Sequence, residues 1–167
     1  MLDYNRVVAD LNGREPDALR TRIEEAGFHV KPGWVTRKPP HRGSFGMYVG
    51  GEWFLLSANS EIIPEDDVVG RLDVSILTSR LLQPVLGIGD PRTDQRIDFV
   101  GGIRGMDELE RRVDSGRDAN AFSLWPTSLE EVMDVADAQQ VMPPKSTWFE
   151  PKLRSGLVVQ MLEGDRL

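Results

Sequence analysis

The sequence predicts an α+β fold in which helices pack on a mixed β-sheet. Residues 44–57 carry a β-hairpin signature, because aromatic and aliphatic runs flank the pair Gly50-Gly51. From Ile97 onward, patterns typical of strands and helices alternate in the order strand, helix, strand, helix, strand. Strands joined through helices need crossover connections, so we expect parallel or mixed pairing in this C-terminal part of the sheet.

The chain is predicted to begin with a strand and a helix. Side chains alternate from Tyr4 to Leu11 around two central valines, as in a strand with two different faces. Pro16 fits the first position of a helix, and Gly27 fits its end. The apolar stripe of this helix is predicted to contain Leu19, Ile23 and Ala26.

A basic loop follows between residues 31 and 46. It holds three prolines and five basic side chains, Arg42 among them, and no acidic residue. In an acidic protein such a loop is a candidate for binding an anion. The alternative interpretation is a proline-rich loop that its charges keep solvated.

The middle of the chain predicts one buried helix between two polar loops, at residues 59–71 and 87–96. Asp73 is suited to begin the helix, and Pro84 to kink or end it. Apolar residues occupy nearly all its sides, which indicates a central position in the core. They are Val74, Ile76, Leu77, Leu81 and Leu82.

The C-terminal unit begins with a predicted strand at Ile97–Val100, a helix at about Met106–Ser115 and a strand at Asn120–Trp125. Thr127 and Glu130 form the sequence pattern of a capping box for the next helix. The inner face of that helix is predicted to hold Leu129, Val132, Met133 and Ala136. A final strand is predicted at residues 157–162. With no repeat and no linker, residues 1–167 are expected to form a single domain.

Composition narrows the possible functions. A net charge of −7 opposes binding to nucleic acid or to an anionic membrane, since both need a basic surface. The absence of cysteine excludes disulfides and thiolate metal sites, and two histidines are too few for a histidine-rich one. We expect no metal site and identify no cofactor. No stretch resembles a signal peptide or a membrane span, so we expect a cytoplasmic protein.

Residues 142–157 are the strongest candidate for a binding site. Three prolines force this segment to run extended, without a hydrogen-bonded ladder of its own. Lys145 could neutralise a phosphate or carboxylate while the hydroxyls of Ser146 and Thr147 donate hydrogen bonds, and Lys152 adds a second cation. The alternative is a loop held in place by Trp148 and Phe149, with its polar groups in water.

A second candidate follows the predicted strand at residue 97. Ligands of sheets with crossover helices bind beyond the carboxyl ends of strands, at the N-termini of helices. Gly101 and Gly102 could approach a phosphate with their backbone amides, and Arg104 could neutralise it. Two glycines after a strand are also typical of a simple turn, and no Walker-type lysine-serine pair follows.

Several stretches, taken in order, resemble a prokaryotic family called domain of unknown function 1015. Their sequences are Tyr4-Asn5-Arg6-Val7-Val8-Ala9-Asp10-Leu11-Asn12-Gly13, Leu72-Asp73-Val74-Ser75-Ile76-Leu77, Ile97-Asp98-Phe99-Val100-Gly101-Gly102, Ala121-Phe122-Ser123-Leu124 before Pro126-Thr127, and Met142-Pro143-Pro144-Lys145-Ser146-Thr147 with Phe149, Pro151-Lys152-Leu153 and Ser155-Gly156-Leu157. The last of them is similar to the C-terminal signature of the family.

The resemblance implies that the chain corresponds to the C-terminal half of a longer family protein. Family members have an upstream half with a Gly-His-His-Arg motif, which has been likened to ParB-type partitioning proteins, and this sequence has no such motif. ParB-like folds include nucleotide hydrolases and free-serine kinases. The resemblance therefore implies, by distant analogy, a role in phosphoryl transfer.

Three hypotheses about function remain open at this point. The first is an anion- or phosphate-binding part of a phosphoryl-transfer enzyme, either a small-molecule kinase or a nucleotide hydrolase. The second is a non-catalytic interaction module, or a truncated fragment, that binds a partner half or forms a homodimer. The third is a nucleic-acid-associated ParB-like protein, which the net charge of −7 disfavours.

Overall fold

The computed structural model describes residues 1–151 and confirms the α+β class. It contains a six-stranded sheet and, within the described residues, four α-helices. The strands are β1 (Tyr4–Val8), β2 (Phe28–Pro32), β3 (Ser44–Val49), β4 (Glu52–Ala58), β5 (Ile97–Gly101) and β6 (Asn120–Leu124). The helices are α1 (Pro16–Glu25), α2 (Asp73–Leu77), α3 (Gly105–Asp114) and α4 (Leu129–Asp137). The strand predicted at residues 157–162 lies outside the described residues.

The strands pair in the order β2-β4-β3-β6-β1-β5, and each of these pairs is antiparallel. The predicted parallel or mixed pairing is therefore wrong. β5 and β6 do run in the same direction and are joined by the crossover helix α3, as expected. However, β1 inserts between them, with Arg6 opposite Phe99 on one side and Phe122 on the other. A split β-α-β unit is the result.

The two faces of the sheet carry different helices. On the first face, α1 buries Leu19 and Ile23 against strand residues such as Val8, which confirms the predicted stripe of this helix. On the second face, α3 packs Met106 and Leu109 against a smaller cluster. Successive side chains of a strand point to opposite faces, so the side chain of Arg6 lies on the same first face as Val8.

The predicted central helix is confirmed, although it is not α-helical throughout. α2 ends at Leu77 and continues as a π-helical turn over Thr78–Leu82. The five apolar residues predicted to be buried are all buried: Val74, Ile76, Leu77, Leu81 and Leu82. Ser75 and Thr78, on the polar edge of this element, are half-buried.

The predicted hairpin is confirmed as β3 and β4, which pair from Ser44 opposite Ser57 to Val49 opposite Glu52. Gly50 and Gly51 form the turn with φ values of 61° and 81°. Glycine adopts positive φ angles at little cost, and this explains the Gly-Gly pair at the turn.

Helix α4 differs from its predicted form. The capping box is made by Ser128 and Glu131 instead of Thr127 and Glu130. The buried face contains Glu131 and Val135, whereas Leu129 and Met133 of the predicted stripe are 62% and 57% exposed. The carboxylate of Glu131 can be buried because the cap and an ion pair with Arg42 satisfy it, and this fixes which side of α4 faces inward.

Two further observations concern residues 1–151 alone. No helix there combines the length and apolar content needed to cross a bilayer. No group of three or more carboxylate or histidine side chains in this part of the chain is arranged to hold a metal ion.

Candidate functional site

A cavity of about 560 Å³ opens on the first face of the sheet. Its walls come from α2 and its π-helical turn, from residues 89–92, and from the start of the proline segment at Pro143-Pro144. The side chains that line it and can form hydrogen bonds or carry charge are Arg6, Ser75, Thr78, Gln83, Asp90 and Arg92. The cavity therefore combines an apolar wall with several polar groups, as small-molecule sites commonly do.

Arg6 is the buried charge of this cavity, and it is only 3% exposed. Its guanidinium donates one hydrogen bond to the carbonyl of Tyr4 and another, of 2.9 Å, to the carbonyl of Lys145. Burial lowers the pKa of Arg6 to about 10, so the group stays charged at neutral pH. Within residues 1–151, no aspartate or glutamate forms an ion pair with it.

Lys145 lies beside Arg6 and contacts the same aromatic rings. Its ammonium nitrogen is 5.9 Å from the ring centroids of both Tyr4 and Phe99. The guanidinium carbon of Arg6 is 5.8 Å from the first ring and 5.1 Å from the second. Two cations therefore share two aromatic faces, and cation–π attraction offsets part of their mutual repulsion. Lys145 itself is exposed and can reach a ligand.

The proline segment is held in place by Trp148. Its ring packs edge-on against Tyr4 with centroids 5.2 Å apart, and its carbonyl accepts a 2.9 Å hydrogen bond from the amide of Leu2. Phe149 is 49% exposed and does not provide a comparable anchor. One of the two aromatic residues thus fixes the position of Lys145 relative to β1.

The two hydroxyl residues after Lys145 lie in different surroundings from the lysine. Ser146 is buried, its hydroxyl donates to the carbonyl of Pro143, and its own carbonyl accepts a 2.8 Å hydrogen bond from Thr127. These bonds shape the segment internally. Thr147 is half-buried. Lys152, the remaining candidate of this segment, lies outside the described residues.

Gly101 and Gly102 allow close packing of neighbouring side chains. A Cβ atom on Gly101 would lie 2.8 Å from the ring of Trp148, and one on Gly102 would overlap the carboxylate of Asp3. The amide of Gly102 donates a 2.8 Å hydrogen bond to the carbonyl of Asp3. Arg104 is exposed and lies 3.9 Å from Glu108. The carboxylate of Asp3 therefore occupies the position beside Gly102.

We expect Gly101→Ala to displace Trp148 and to lower the free energy of unfolding by roughly 1–3 kcal/mol, the usual cost of overpacking a filled site. Tryptophan fluorescence and chemical denaturation measure the two effects. The control is Ala18→Gly on the exposed side of α1, which changes the backbone freedom of one residue away from Trp148. Gly13→Ala is unsuitable as a control because Gly13 has a positive φ. An unchanged stability of Gly101→Ala would contradict the close packing.

A second cavity, of about 520 Å³, lies where Arg42 and Asp73 meet. Arg42 forms a 3.0 Å ion pair with the buried Glu131. One carboxyl oxygen of Asp73 accepts a 2.8 Å hydrogen bond from the amide of Gly43, and the other has no hydrogen-bond partner among the described residues. Burial raises the pKa of Asp73 to about 7; the Gly43 amide opposes this rise and Glu131 adds to it.

The basic loop is partly neutralised by the two helices next to it. Arg37 pairs with Asp107 at 2.6 Å and with Glu110 at 3.2 Å, both on α3, while Arg42 pairs with Glu131 on α4. These arginines connect the loop to opposite faces of the sheet. Their charges are therefore engaged within the domain.

The structure thus brings Lys145 next to Arg6, which was not among the residues predicted from the sequence. The candidates Arg42, Gly101, Gly102 and Arg104 lie elsewhere, among their own partners. The available signal for Arg6 was its position in β1, two residues before Val8 in an alternating strand. An arginine at such a position is directed toward a buried face, where it needs an anion or aromatic rings nearby.

The fold is similar to that of solved structures. A mutant free serine kinase in complex with AMP matches with a TM-score of 0.51 and 15% identity, over 87% of this chain and 51% of that chain. A conserved hypothetical protein from Pyrococcus furiosus matches with a TM-score of 0.52 and 13% identity, over 86% and 53%. The chain spans about half the length of these proteins, and at such identities the likeness concerns the fold alone.

No curated protein sequence matches the chain. A family model does match its first part, which includes β1, α1, the hairpin of β3 and β4, and the start of α2. Of the motifs that resemble a known family, the one at residues 4–13 lies inside this match, and the one at residues 72–77 lies partly inside it. Residues 1–75 match the family described as a protein of unknown function, DUF1015, and this supports the family that the motifs indicated.

Proposed function

We propose that the chain binds a small anion of the phosphate class in the cavity beside Arg6, with Lys145 as a second cation. The observation that carries the proposal is that Arg6 is buried, charged and without a carboxylate partner in residues 1–151. A charge removed from water is costly unless an opposite charge or several hydrogen bonds compensate it. An anion in the cavity supplies that compensation.

The geometry suits an anion with several oxygen atoms. The guanidinium of Arg6 has further N–H groups besides the two that bind backbone carbonyls, and guanidinium donors match the oxygens of phosphate in pairs. Lys145 contributes a mobile point charge from the exposed side. Ser75 and Thr78 place hydroxyl groups on the opposite wall.

Arg92 provides an adjustable charge at the same cavity. It is held by Asp90 at 2.6 Å and is well exposed. Such a surface ion pair contributes little to stability and exchanges partners readily. In the proposed site Arg92 can turn from Asp90 toward a bound anion.

We further propose that the anion belongs to a nucleotide or another phosphorylated metabolite and that the chain supplies one wall of a phosphoryl-transfer site. The structure of a free serine kinase with AMP supports this only through its similar fold. Because the chain spans about half the length of that protein, the catalytic groups are proposed to lie in a further half, the ParB-like part that the family resemblance implied.

The test is calorimetric titration of the full chain with inorganic phosphate and with AMP. We expect Lys145→Ala to weaken binding of both by at least about tenfold, the effect of losing one charge-assisted contact. Lys38→Ala is the matched control, because Lys38 is also an exposed lysine and lies in the basic loop away from the cavity. Its binding should equal that of the unsubstituted chain.

Two results with the variants would contradict the proposal. One is equal affinity of the Lys145→Ala and Lys38→Ala variants for phosphate. The other is full binding by Arg6→Lys, which keeps the charge but loses the paired N–H donors; its fold is checked by circular dichroism, since Arg6 also binds two backbone carbonyls. Binding of AMP without binding of phosphate would place the ligand's contacts on the nucleoside and contradict the phosphate contact.

A further inference from the structure

The second cavity, of about 520 Å³, shares no lining residue with the cavity beside Arg6. Its wall is formed by residues of the basic loop, by residues between 63 and 71, and by α2. We propose that this second cavity binds the ammonium group of a small primary amine, and that the carboxylate of Asp73 is the main acceptor.

The carboxyl group of Asp73 is the polar group of this wall that lacks a partner. Asp73 is only 7% exposed, and one of its carboxyl oxygens accepts a 2.8 Å hydrogen bond from the amide of Gly43. The other oxygen is buried and has no hydrogen-bond partner within residues 1–151. A buried carboxylate oxygen without a donor is costly, and an ammonium group supplies both a donor and the opposite charge. In the proposed complex, a turn of the carboxyl group brings this oxygen to the ligand.

The charges around the second cavity favour a cation over an anion. Its two arginines, Arg42 and Arg71, are already paired with carboxylates of α4, at 3.0 Å and 2.6 Å. Glu65 and Asp73, which also line the cavity, form no ion pair within the part of the chain that the structure describes. Two guanidinium groups and four carboxylates therefore leave two negative charges when Asp73 is ionised. An ammonium ligand is attracted to such a site, whereas a phosphate is repelled.

The remaining lining residues indicate the kind of cation. Ile63 and Ile76 give the cavity an apolar wall, which suits a short hydrocarbon chain attached to the ammonium group. No aromatic ring lines the cavity, whereas sites for quaternary ammonium groups characteristically use aromatic rings. No group of three or more carboxylate or histidine side chains in residues 1–151 is arranged to hold a metal ion. A primary organic amine fits these observations better than a quaternary ammonium group or a metal ion does.

Binding of the amine is expected to depend on pH, because only the ionised carboxyl group of Asp73 attracts the ammonium group. Burial raises the pKa of Asp73 to about 7; the amide of Gly43 opposes this rise, Glu131 adds to it, and Arg42 and His41 oppose it. The folded chain therefore has the ionised carboxylate above pH 7 and loses it as pH falls. We expect the affinity for an amine to be roughly tenfold lower at pH 6 than at pH 8.

The test is a titration of the full chain with n-butylammonium chloride at constant ionic strength, followed by nuclear magnetic resonance. The amide of Gly43 is the reporter, since it donates to Asp73. At pH 8 we expect a saturable change in its chemical shift, and we expect Asp73→Asn to weaken binding at least about tenfold through loss of a charge-assisted contact. Asp66→Asn is the matched control, because Asp66 is exposed and does not line the cavity. Its affinity should equal that of the unsubstituted chain.

Two further probes separate the ligand classes. Tetramethylammonium has the same charge but no N–H donor, and butyrate has a similar chain but the opposite charge. We expect neither to produce a saturable change at Gly43. Equal binding of tetramethylammonium overturns the proposal in favour of general attraction of cations to an acidic surface, and saturable binding of butyrate overturns it in favour of an anion at Arg42 and Arg71.

The remaining outcomes also decide the proposal. A saturable shift with n-butylammonium that weakens in Asp73→Asn supports it, whereas no saturable shift, or equal affinity of Asp73→Asn and Asp66→Asn, overturns it. If Asp73→Asn does not fold, the comparison of pH 6 with pH 8 in the unsubstituted chain decides alone, and equal affinity at both values overturns the proposal. n-Butylammonium stays protonated at both values, as a lysine side chain does. None of these outcomes depends on anion binding at Arg6.

Discussion

Replacing Arg112 by alanine is expected to lower the free energy of unfolding by about 3–5 kcal/mol. Arg112 and Asp118 are both buried, and the guanidinium donates to Asp118 at 2.6 Å and to Asp98 at 2.7 Å. The substitution leaves the carboxylate of Asp118 in a desolvated position without its cation, which is the costly half of breaking a buried ion pair. Urea denaturation at neutral pH measures the loss.

Arg111→Ala is the matched control for this prediction. Arg111 is the preceding residue of α3, and it pairs with Glu108 at 2.7 Å while remaining well exposed. An exposed pair of this kind contributes roughly 0–1 kcal/mol. If Arg112→Ala destabilises the protein no more than Arg111→Ala does, loss of the buried pair with Asp118 does not carry the expected cost. Adding Asp118→Ala should restore part of the loss, because no unpaired charge then remains buried.

In the unsubstituted chain, the free energy of unfolding is expected to fall as pH rises, and Asp73→Asn is expected to abolish this decrease. The pKa of Asp73 is raised from 3.8 to about 7 in the folded state by burial. Between these two pH values the folded protein binds a proton that the unfolded chain has released, so the protonated form contributes stability below pH 4 that disappears as pH approaches 7. The predicted contribution between pH 5 and pH 8 is roughly 2.5 kcal/mol.

The measurement is the difference in unfolding free energy between pH 5 and pH 8, for the unsubstituted chain and for Asp73→Asn. Burying the amide of asparagine costs the same free energy at both pH values, so this cost cancels in the difference. Asp66→Asn, at an exposed position of the preceding loop, is the control for the removal of a carboxyl group. Parallel pH profiles for the unsubstituted chain and Asp73→Asn would show that the buried carboxyl of Asp73 has an ordinary pKa.

Local patterns in the sequence predicted most of the elements. The Gly-Gly turn, the proline at the start of α1 and the apolar residues of α2 each act within a few residues, and the structure confirms all three. The α4 prediction failed because Glu131 is buried by a contact with Arg42, some ninety residues earlier in the chain. No window of local sequence contains that information.

The candidate site shows the same limit. Lys145 could be selected because its proline-rich surroundings are unusual, but Arg6 gained its importance only from Phe99 and Lys145, which lie far away in sequence. In the same way, Arg112 looks like an ordinary charge at the end of α3 until β5 and Asp118 come close to it. Partners distant in sequence decide the role of each buried charge in this chain.

The position of β1 between β5 and β6 affects how the protein folds as it is synthesised. Both edges of β1 pair only with strands that lie more than ninety residues later, where Phe99 and Phe122 are opposite Arg6. Long-range pairing of this kind raises the contact order, so we expect slow folding compared with a helical bundle of similar size. On the ribosome, the first strand stays an unpaired edge until most of the chain has emerged, and protection from aggregation matters most at that stage.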